Sequence, residues 1–200
     1  MVLQAIDTMI SEADYLKGEL ESEIKHEYID GRVYAMAGAN EQHNRLTSTV
    51  SRKFGNHMED KPCDAYSSDF KVRVGTKYFY PDVVVKCDSE YNNEDYTEHP
   101  IIIVEITSAS TEKFDQTYKL AVYKTIPSLQ EYVIIEQYKA RVDVYKRHGM
   151  SWNFQTYQLG DSILFESIGL TLSVEEIYKR VDNEDMQEYL RKKGEDQKTG

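Results

Sequence analysis

The order of patterns along this 200-residue chain predicts a mixed α/β (α+β) domain, with a central mixed sheet flanked by helices and extra β-hairpins. Three observations predict it. Leu46, Val50, Phe54 and Met58 recur four apart, the single apolar stripe of a helix lying on a core. Short aliphatic runs, Val83-Val84-Val85 and Ile101-Ile102-Ile103-Val104, have the length and branching of buried strands. Asp30-Gly31 and Gly149 fall between alternating segments, where hairpin turns need positive φ.

Taken in order, residues 11–20 predict a short helix capped by Ser11, with Tyr15 and Leu16 turned inward. Residues 26–36 predict a hairpin around Asp30-Gly31. Asn40 caps the next helix, 41–60. Strands are expected over 65–74 and 79–87, followed by a polar, acidic loop from Asp88 to Pro100. Residues 101–107 form a buried strand, and the cluster 108–111 offers the cap for a helix that Pro127 ends near 125. A strand over 131–135 leads to a second hairpin, 140–148 with 151–158. Ser173-x-x-Glu176 is a capping box opening a last helix through Tyr178. From Asp182 hydrophobicity collapses. The expected organisation is one domain over 1–180 and a flexible tail over 181–200.

Composition narrows the function classes. The chain is 40% hydrophobic and 30% charged, as soluble globular domains are, and its net charge of −11 argues against a broad nucleic-acid-coating surface. A local basic groove stays compatible with it. Residues 1–10 lack a basic, apolar leader and no run is long enough to span a membrane, so neither a signal peptide nor membrane insertion is expected. Cys63 and Cys87 form no CxxC, which reads as reduced thiols in a cytoplasmic protein. Dinucleotide fingerprints, P-loops and the GxSxG elbow are absent. His26-Glu27 fails as a zinc-protease motif because Asp30 stands where its second His belongs.

What remains is a set of carboxylates where buried aliphatic residues would be expected. Asp82 follows Pro81 at the entrance to a Val-Val-Val strand, and Glu105 ends the Ile101–Val104 run. If these strands pair antiparallel, the start of one lies beside the end of the other and the acids become neighbours. Two carboxylates with the Ile106 carbonyl make a hard oxygen set that suits Mg²⁺. The plain alternative is a pair of strand-end salt bridges. Asp115, Lys119 and Tyr123 share one helix face at i, i+4, i+8. They read either as a surface ion pair beside a half-buried ring or as an ammonium aimed at the carboxylates.

These residues carry a resemblance. Pro81-Asp82 with Glu105-Ile106-Thr107 resembles the signature of the PD-(D/E)XK nuclease superfamily, with Thr107 in place of the strand lysine. The wider pattern is similar to its Uma-two branch of restriction endonucleases: His26-Glu27-Tyr28-Ile29-Asp30-Gly31, His43, Pro81-Asp82-Val83, Val104-Glu105-Ile106 with Ser108 and Ser110, Asp115-x-x-x-Lys119-x-x-x-Tyr123, and Glu131-Tyr132. It spans roughly residues 11–180; the stretch 126–132 departs from the usual turn. The resemblance implies a restriction-endonuclease-like core and Mg²⁺-dependent (or Mn²⁺-dependent) hydrolysis of DNA phosphodiesters. It assigns the metal to Asp82, Glu105 and the Ile106 carbonyl, with Lys119 taking over from the missing strand lysine. Glu27, His43 and Tyr123 are secondary candidates. Each has a structural reading as well: Glu27 a strand-end residue facing water, His43 a satisfied buried histidine, Tyr123 packing beside Lys119. A homodimer is compatible with the resemblance, since superfamily members often pair to cut both strands.

DNA requires positive surface, for which Arg52, Lys53, Lys71, Arg73, Lys77, Lys139, Arg141, Lys146 and Arg147 are the candidates. Two function classes follow: a metal-dependent endonuclease, or a catalytically silent binding or scaffold protein that keeps the nuclease fold.

Overall fold

In the computed structural model, which describes residues 9–36, 38–87, 93–107 and 112–199, the chain passes repeatedly between two sheets that meet along a seam. Helix α1 (Glu12–Glu21) is capped by the Ser11 side chain, which accepts from the Asp14 N–H. Its buried Tyr15 stacks on Tyr28 at 4.9 Å, fixing α1 on the first sheet. That sheet begins with the hairpin β1 (His26–Ile29) and β2 (Arg32–Ala35), turned at Asp30 and Gly31 with φ of 48° and 92°.

Helix α2 (Glu41–Met58) starts at Asn40, whose side chain accepts from the His43 N–H. Its stripe of Leu46, Val50, Phe54 and Met58 is buried against one face of the second sheet. Four such side chains, at about 1.5–3 kcal/mol each, hold the helix there. The chain then runs through β3 (Asp64–Ser67), β4 (Lys71–Val74), β5 (Lys77–Phe79), β6 (Val83–Lys86) and β7 (Tyr96–Thr97). Next come β8 (Ile102–Thr107), β9 (Glu131–Glu136), β10 (Arg141–His148) and β11 (Ser151–Gln158). The first sheet has the order β2-β1-β5-β4-β7, the second β11-β10-β9-β8-β6-β3. The second is mixed: β8 and β9 are parallel, the other pairs antiparallel.

The helical stretch after β8 covers the second sheet's other face. It comprises α3 (Glu112–Phe114), a π turn (Asp115–Lys119) and α4 (Leu120–Tyr123). Tyr123, Ile126 and Leu129 pack there with Val84, Ile103, Tyr132 and Ile134. The cap expected from 108–111 lies outside the described residues.

Several elements differ from expectation, each for a local reason. The strands expected over 65–74 and 79–87 are each two strands in different sheets. Ser68 at φ 63° breaks the first, and the Tyr80-Pro81-Asp82 crossover breaks the second. One sheet was expected and two large ones form. The acidic loop contributes β7, parallel to β4. A further hairpin, β12 (Ser162–Phe165) with β13 (Leu170–Ser173), is held by buried Glu131, whose carboxylate accepts from the Glu166 N–H and from Ser167. The capping box at Ser173 forms both its bonds and opens α5 (Val174–Tyr178). Where a frayed tail was expected, α6 (Glu184–Thr199) is helical. Its start is tied down: Asn183 accepts from Met186 N–H, Asp185 accepts from Ala140 N–H at 2.8 Å, and Met186 is buried.

The expectation of free thiols is also overturned, because Cys63 and Cys87 are disulfide-bonded. The register Asp64↔Lys86 sets residue 63 opposite residue 87, a pairing invisible until the β3–β6 register is known. The bond removes the ground for expecting a cytoplasmic protein; on location, no helix among the described residues is long and apolar enough to cross a membrane. Closing a 24-residue separation should stabilise the fold by about 3 kcal/mol on the chain-entropy model. Dithiothreitol, or Cys63→Ser with Cys87→Ser, is therefore expected to lower the urea midpoint. An unchanged midpoint would show that the link contributes nothing.

Candidate active site

The seam between the two sheets gathers the sequence-predicted residues from five elements and one crossover. Glu27 reaches it from β1, and Asp82 sits in the crossover that enters β6. Antiparallel pairing of Val83 with Val104 brings residue 82 beside residue 105 at the end of β8. Asp115 and Lys119 descend from the π turn, Tyr123 from α4, and His43 comes from the first turn of α2. Thr107, which stands where the superfamily signature has its lysine, is buried, and its hydroxyl has no hydrogen-bond partner among the described residues.

The contacts fall into two linked groups. Lys119 Nζ lies 2.9 Å from Glu27 Oε1, 3.0 Å from Glu105 Oε1 and 3.5 Å from Asp115 Oδ1. Tyr123 donates its hydroxyl to Glu105 Oε1 at 3.0 Å. The Tyr80 N–H donates to Glu27 Oε1, and the Tyr132 hydroxyl donates to the Asp115 carbonyl. Asp82 belongs to the second group: His43 Nε2 lies 3.1 Å from its Oδ1, and the Ile106 N–H donates to its Oδ2 at 2.7 Å. The Ile106 amide thus joins the groups, one residue after Glu105.

Burial separates the two. Glu27, Glu105, Asp115 and Lys119 are each at most 6% exposed, whereas the Asp82 and His43 side chains keep 16% and 20% of their surface at the mouth. Glu27 therefore does not face water, and Asp115 and Lys119 are no surface pair. The ring faces of Phe79 and Phe114 stand 5.9 Å from the Lys119 ammonium. Neither these phenylalanines nor the Tyr80 amide were singled out from sequence. Phe79, the cross-strand partner of Val72, packs in a core cluster with Val84, and its sequence pattern specified only core packing.

Charge is unevenly matched. Glu27, Glu105 and Asp115 surround Lys119, while a fourth carboxylate, Asp82, is paired with His43. Burial works against the charge on Lys119, yet Glu105, Glu27, Tyr123 and Asp115 outweigh it and hold the group well above its ordinary range, as a fixed ammonium. Glu105 is pushed well above the usual carboxylate range, first by burial and then by Asp115, Asp82 and Glu27, with Lys119 opposing. Burial disfavours the charged form of His43, but Asp82, the Ile106 carbonyl and Asp115 overcome it and raise the imidazole. Its Nδ1 is buried, with no close hydrogen-bond partner among the described residues.

The chemistry of this donor set fits a hard divalent cation. Its donors are carboxylate and carbonyl oxygens, and the local excess of negative charge is the condition an added cation relieves. Among the described residues no three His, Cys, Asp or Glu side chains are grouped as metal ligands. The oxygens expected from the sequence to hold such an ion are those of Asp82, Glu105 and the Ile106 carbonyl.

Comparison with known proteins decides the family. The family model Uma2, described as "Putative restriction endonuclease", matches residues 12–175 and so spans every residue of the cluster. The chain belongs to the Uma2 family. Two relatives from Synechocystis sp. are the uncharacterized proteins slr1290 and sll1609. The first is 33% identical over 174 residues, covering 85% of this chain and 92% of the relative. The second is 33% identical over 171 residues, covering 83% and 97%. Among solved structures, a "putative nuclease belonging to DUF820" from Anabaena variabilis superposes with a TM-score of 0.71, over 85% of this chain and 98% of that one. At 16% identity that likeness establishes a shared fold. The membership read from Pro81-Asp82 and Glu105-Ile106 is therefore correct for the family and for the restriction-endonuclease-like core.

Proposed function

We propose that this Uma2 protein is an endonuclease that hydrolyses DNA phosphodiester bonds with a divalent ion, Mg²⁺ or Mn²⁺, held by Asp82, Glu105 and the Ile106 carbonyl. The observation that carries the reading is the concentration of acids: three buried carboxylates share one ammonium, and a fourth, Asp82, stands beside them with His43 where the side chains are partly exposed. Buried acids in such excess are costly unless a cation completes them. When bound, the ion supplies a polarised water and neutralises charge on the reacting phosphate.

The chain's own residues divide the remaining work. Lys119, kept charged by Glu27, Glu105 and Asp115, is a cation rather than a base. It offers its protons to the phosphate oxygens and the attacking water, where negative charge develops. Glu27 and Tyr123 are positioning residues: one holds the ammonium, the other fixes the Glu105 oxygen it shares. His43 and the Ile106 N–H orient the two oxygens of Asp82.

One observation favours the competing reading, a silent nuclease fold used for binding or as a scaffold. Most of the basic residues that DNA would need are engaged within the chain: Lys53 by Glu176, Arg73 by Glu12 and Glu98, Lys77 by Asp30, Lys146 by Glu166, and Arg141 by Asp143. Calorimetric titration of Mg²⁺ and Mn²⁺ into wild type and Asp82→Ala, with plasmid nicking on the same samples, separates the two. The endonuclease reading expects binding and nicking in the wild type and the loss of both in the variant, with nicking down at least about 100-fold. No binding at millimolar metal would hand the protein to the scaffold reading.

A further inference from the structure

Four aromatic rings step across the second sheet from the seam to its edge. Tyr123, which donates to Glu105, lies 5.3 Å from Tyr132 on β9. Tyr132 lies 6.1 Å from Tyr145 on β10, and Tyr145 lies 4.7 Å from Phe154 on β11. The registers Tyr132↔Tyr145 and Tyr145↔Phe154 make the last three rings cross-strand neighbours on one face. Their planes are only 25° and 32° apart, so each ring roughly parallels the next. Exposure rises along the series: Tyr132 is fully buried, Tyr145 half-buried and Phe154 55% exposed. Phe154 alone of the six phenylalanines is exposed, and β11 is the edge strand, so the ladder ends on an uncovered ring.

Two cations stand beside that ring. The Lys124 ammonium lies 4.8 Å from the ring of Tyr145 and 5.8 Å from that of Trp152. The Arg147 guanidinium lies 4.5 Å from Trp152, its register partner and the next residue on this face after Phe154. Arg147 is fixed by donating to the carbonyls of Lys124, Ile126 and Leu129, which hold its position and leave its charge unneutralised. Burial lowers the pKa of Lys124, and no carboxylate acts to raise it again. The two segments that line this corner, 116–130 and 144–160, hold no Asp or Glu, in a chain that has 35. The corner is therefore positive on a protein whose net charge is −11.

We propose that this corner is a platform for an unpaired nucleic-acid strand, whose bases stack on Phe154 and Trp152 and whose phosphates lie beside Lys124 and Arg147. Charge complementarity selects the partner: most of this acidic surface repels a polyanion, and the acid-free corner with two cations is where one can settle. Stacking selects the unpaired form. A duplex keeps its base faces covered, whereas a single strand offers flat rings that continue the ladder whatever its sequence, and an adjacent arginine strengthens such stacks. Phe154 stands three strands across and two residues along from Glu105, about 16 Å by strand spacing and rise, so the platform is a separate place from the seam. The inference holds whether or not the cluster around Lys119 cuts.

Trp152 is the chain's one tryptophan, so its fluorescence reports on this face. The full chain, kept free of metal with EDTA, is titrated with a short oligothymidylate and with an oligouridylate of equal length. Saturable quenching by at least one is expected, the tighter binder naming the strand as DNA or RNA; a blunt duplex of the same length should leave the emission unchanged. Affinity should fall with salt at a log–log slope of about −1.4, for two phosphates at about −0.7 each. Phe154→Leu should weaken binding by about 10-fold or more. Lys124→Gln should flatten the salt slope by about 0.7. Asp82→Ala should be quenched as the wild type is, which keeps failure of this platform distinguishable from failure of the proposed metal site. No quenching by excess strand, equal quenching by the duplex, or binding that both platform variants leave untouched overturns the proposal. If Phe154→Leu fails to fold, as judged by circular dichroism, the salt slope of Lys124→Gln decides it.

Discussion

Lys119→Met is expected to lower plasmid nicking by about 10²–10³-fold, the loss typical of removing one preorganised electrostatic donor. It should also destabilise the fold by about 3–5 kcal/mol, because the variant leaves buried acids without their cation. The reason is geometric: one ammonium is shared by Glu27, Glu105 and Asp115. The pH dependence follows from the direction of its shift. A lysine whose folded value is raised contributes stability that is fully present below the unfolded value of about 10.4 and lost only as pH rises through the folded one. The deficit of Lys119→Met should therefore be full from neutral pH to about 10. It should shrink in acid, where the abandoned carboxylates take up protons. Urea denaturation of both proteins across pH 5–9 (about the range of ordinary buffers) checks this. A variant as stable as wild type throughout would mean that the lysine is not the keystone of the charge cluster.

Glu105→Gln should separate stability from activity. In the metal-free protein the charged form of Glu105 is disfavoured by burial and by the acids around it, so the folded state binds its proton more tightly than the unfolded chain does. Stability should then fall as pH rises above the unfolded carboxylate value of about 4.3, and go on falling until the raised folded value is passed. Glutamine is neutral at every pH and lacks that slope. The metal-free variant should thus melt a few degrees above the metal-free wild type at mildly alkaline pH, while its nicking falls at least about 100-fold. Magnesium should recover the wild type's alkaline stability and leave the variant's unchanged, since binding to the folded state alone raises the melting temperature. Melts with and without Mg²⁺ at mildly acid and mildly alkaline pH decide it. Parallel pH slopes in the two proteins, or equal gains from Mg²⁺, would remove Glu105 from the metal's neighbourhood.

The parts of this fold that were legible in the sequence are those written in local chemistry. The Asp30-Gly31 turn, the Asn40 and Ser173 caps and the stripe on α2 each depend on a few neighbouring residues, and each forms where the pattern puts it. The neighbourhood of residues 82 and 105 was legible for a different reason. Pro81 fixes where a strand can begin, and antiparallel pairing then leaves one place for its partner's end. What stayed hidden depends on contacts between distant segments. Ser68 at positive φ carries no glycine to announce a sheet change, so β3 and β4 read as one strand. The Cys63–Cys87 link follows from a register, and the start of α6 from Asp185 reaching Ala140. Glu27 reads as a water-facing strand end until the crossover at Tyr80 folds over it and its carboxylate accepts from the Tyr80 N–H.

The lysine's arrival on a helix, rather than on β8, divides the site between two pieces of chain. The proposed metal ligands ride on the sheet, and the ammonium rides on a helical segment joined to it through residues 107–112. Sliding that segment along its axis by one residue, about 1.5 Å, would take Lys119 out of hydrogen-bond reach of Glu105 and leave Asp82 beside residue 105 undisturbed. Under the proposed function, ion capture and bond cleavage would be separable traits in this architecture. A relative could lose its lysine and remain a cation-binding protein, or shift its helix and switch cleavage off without surrendering the ion.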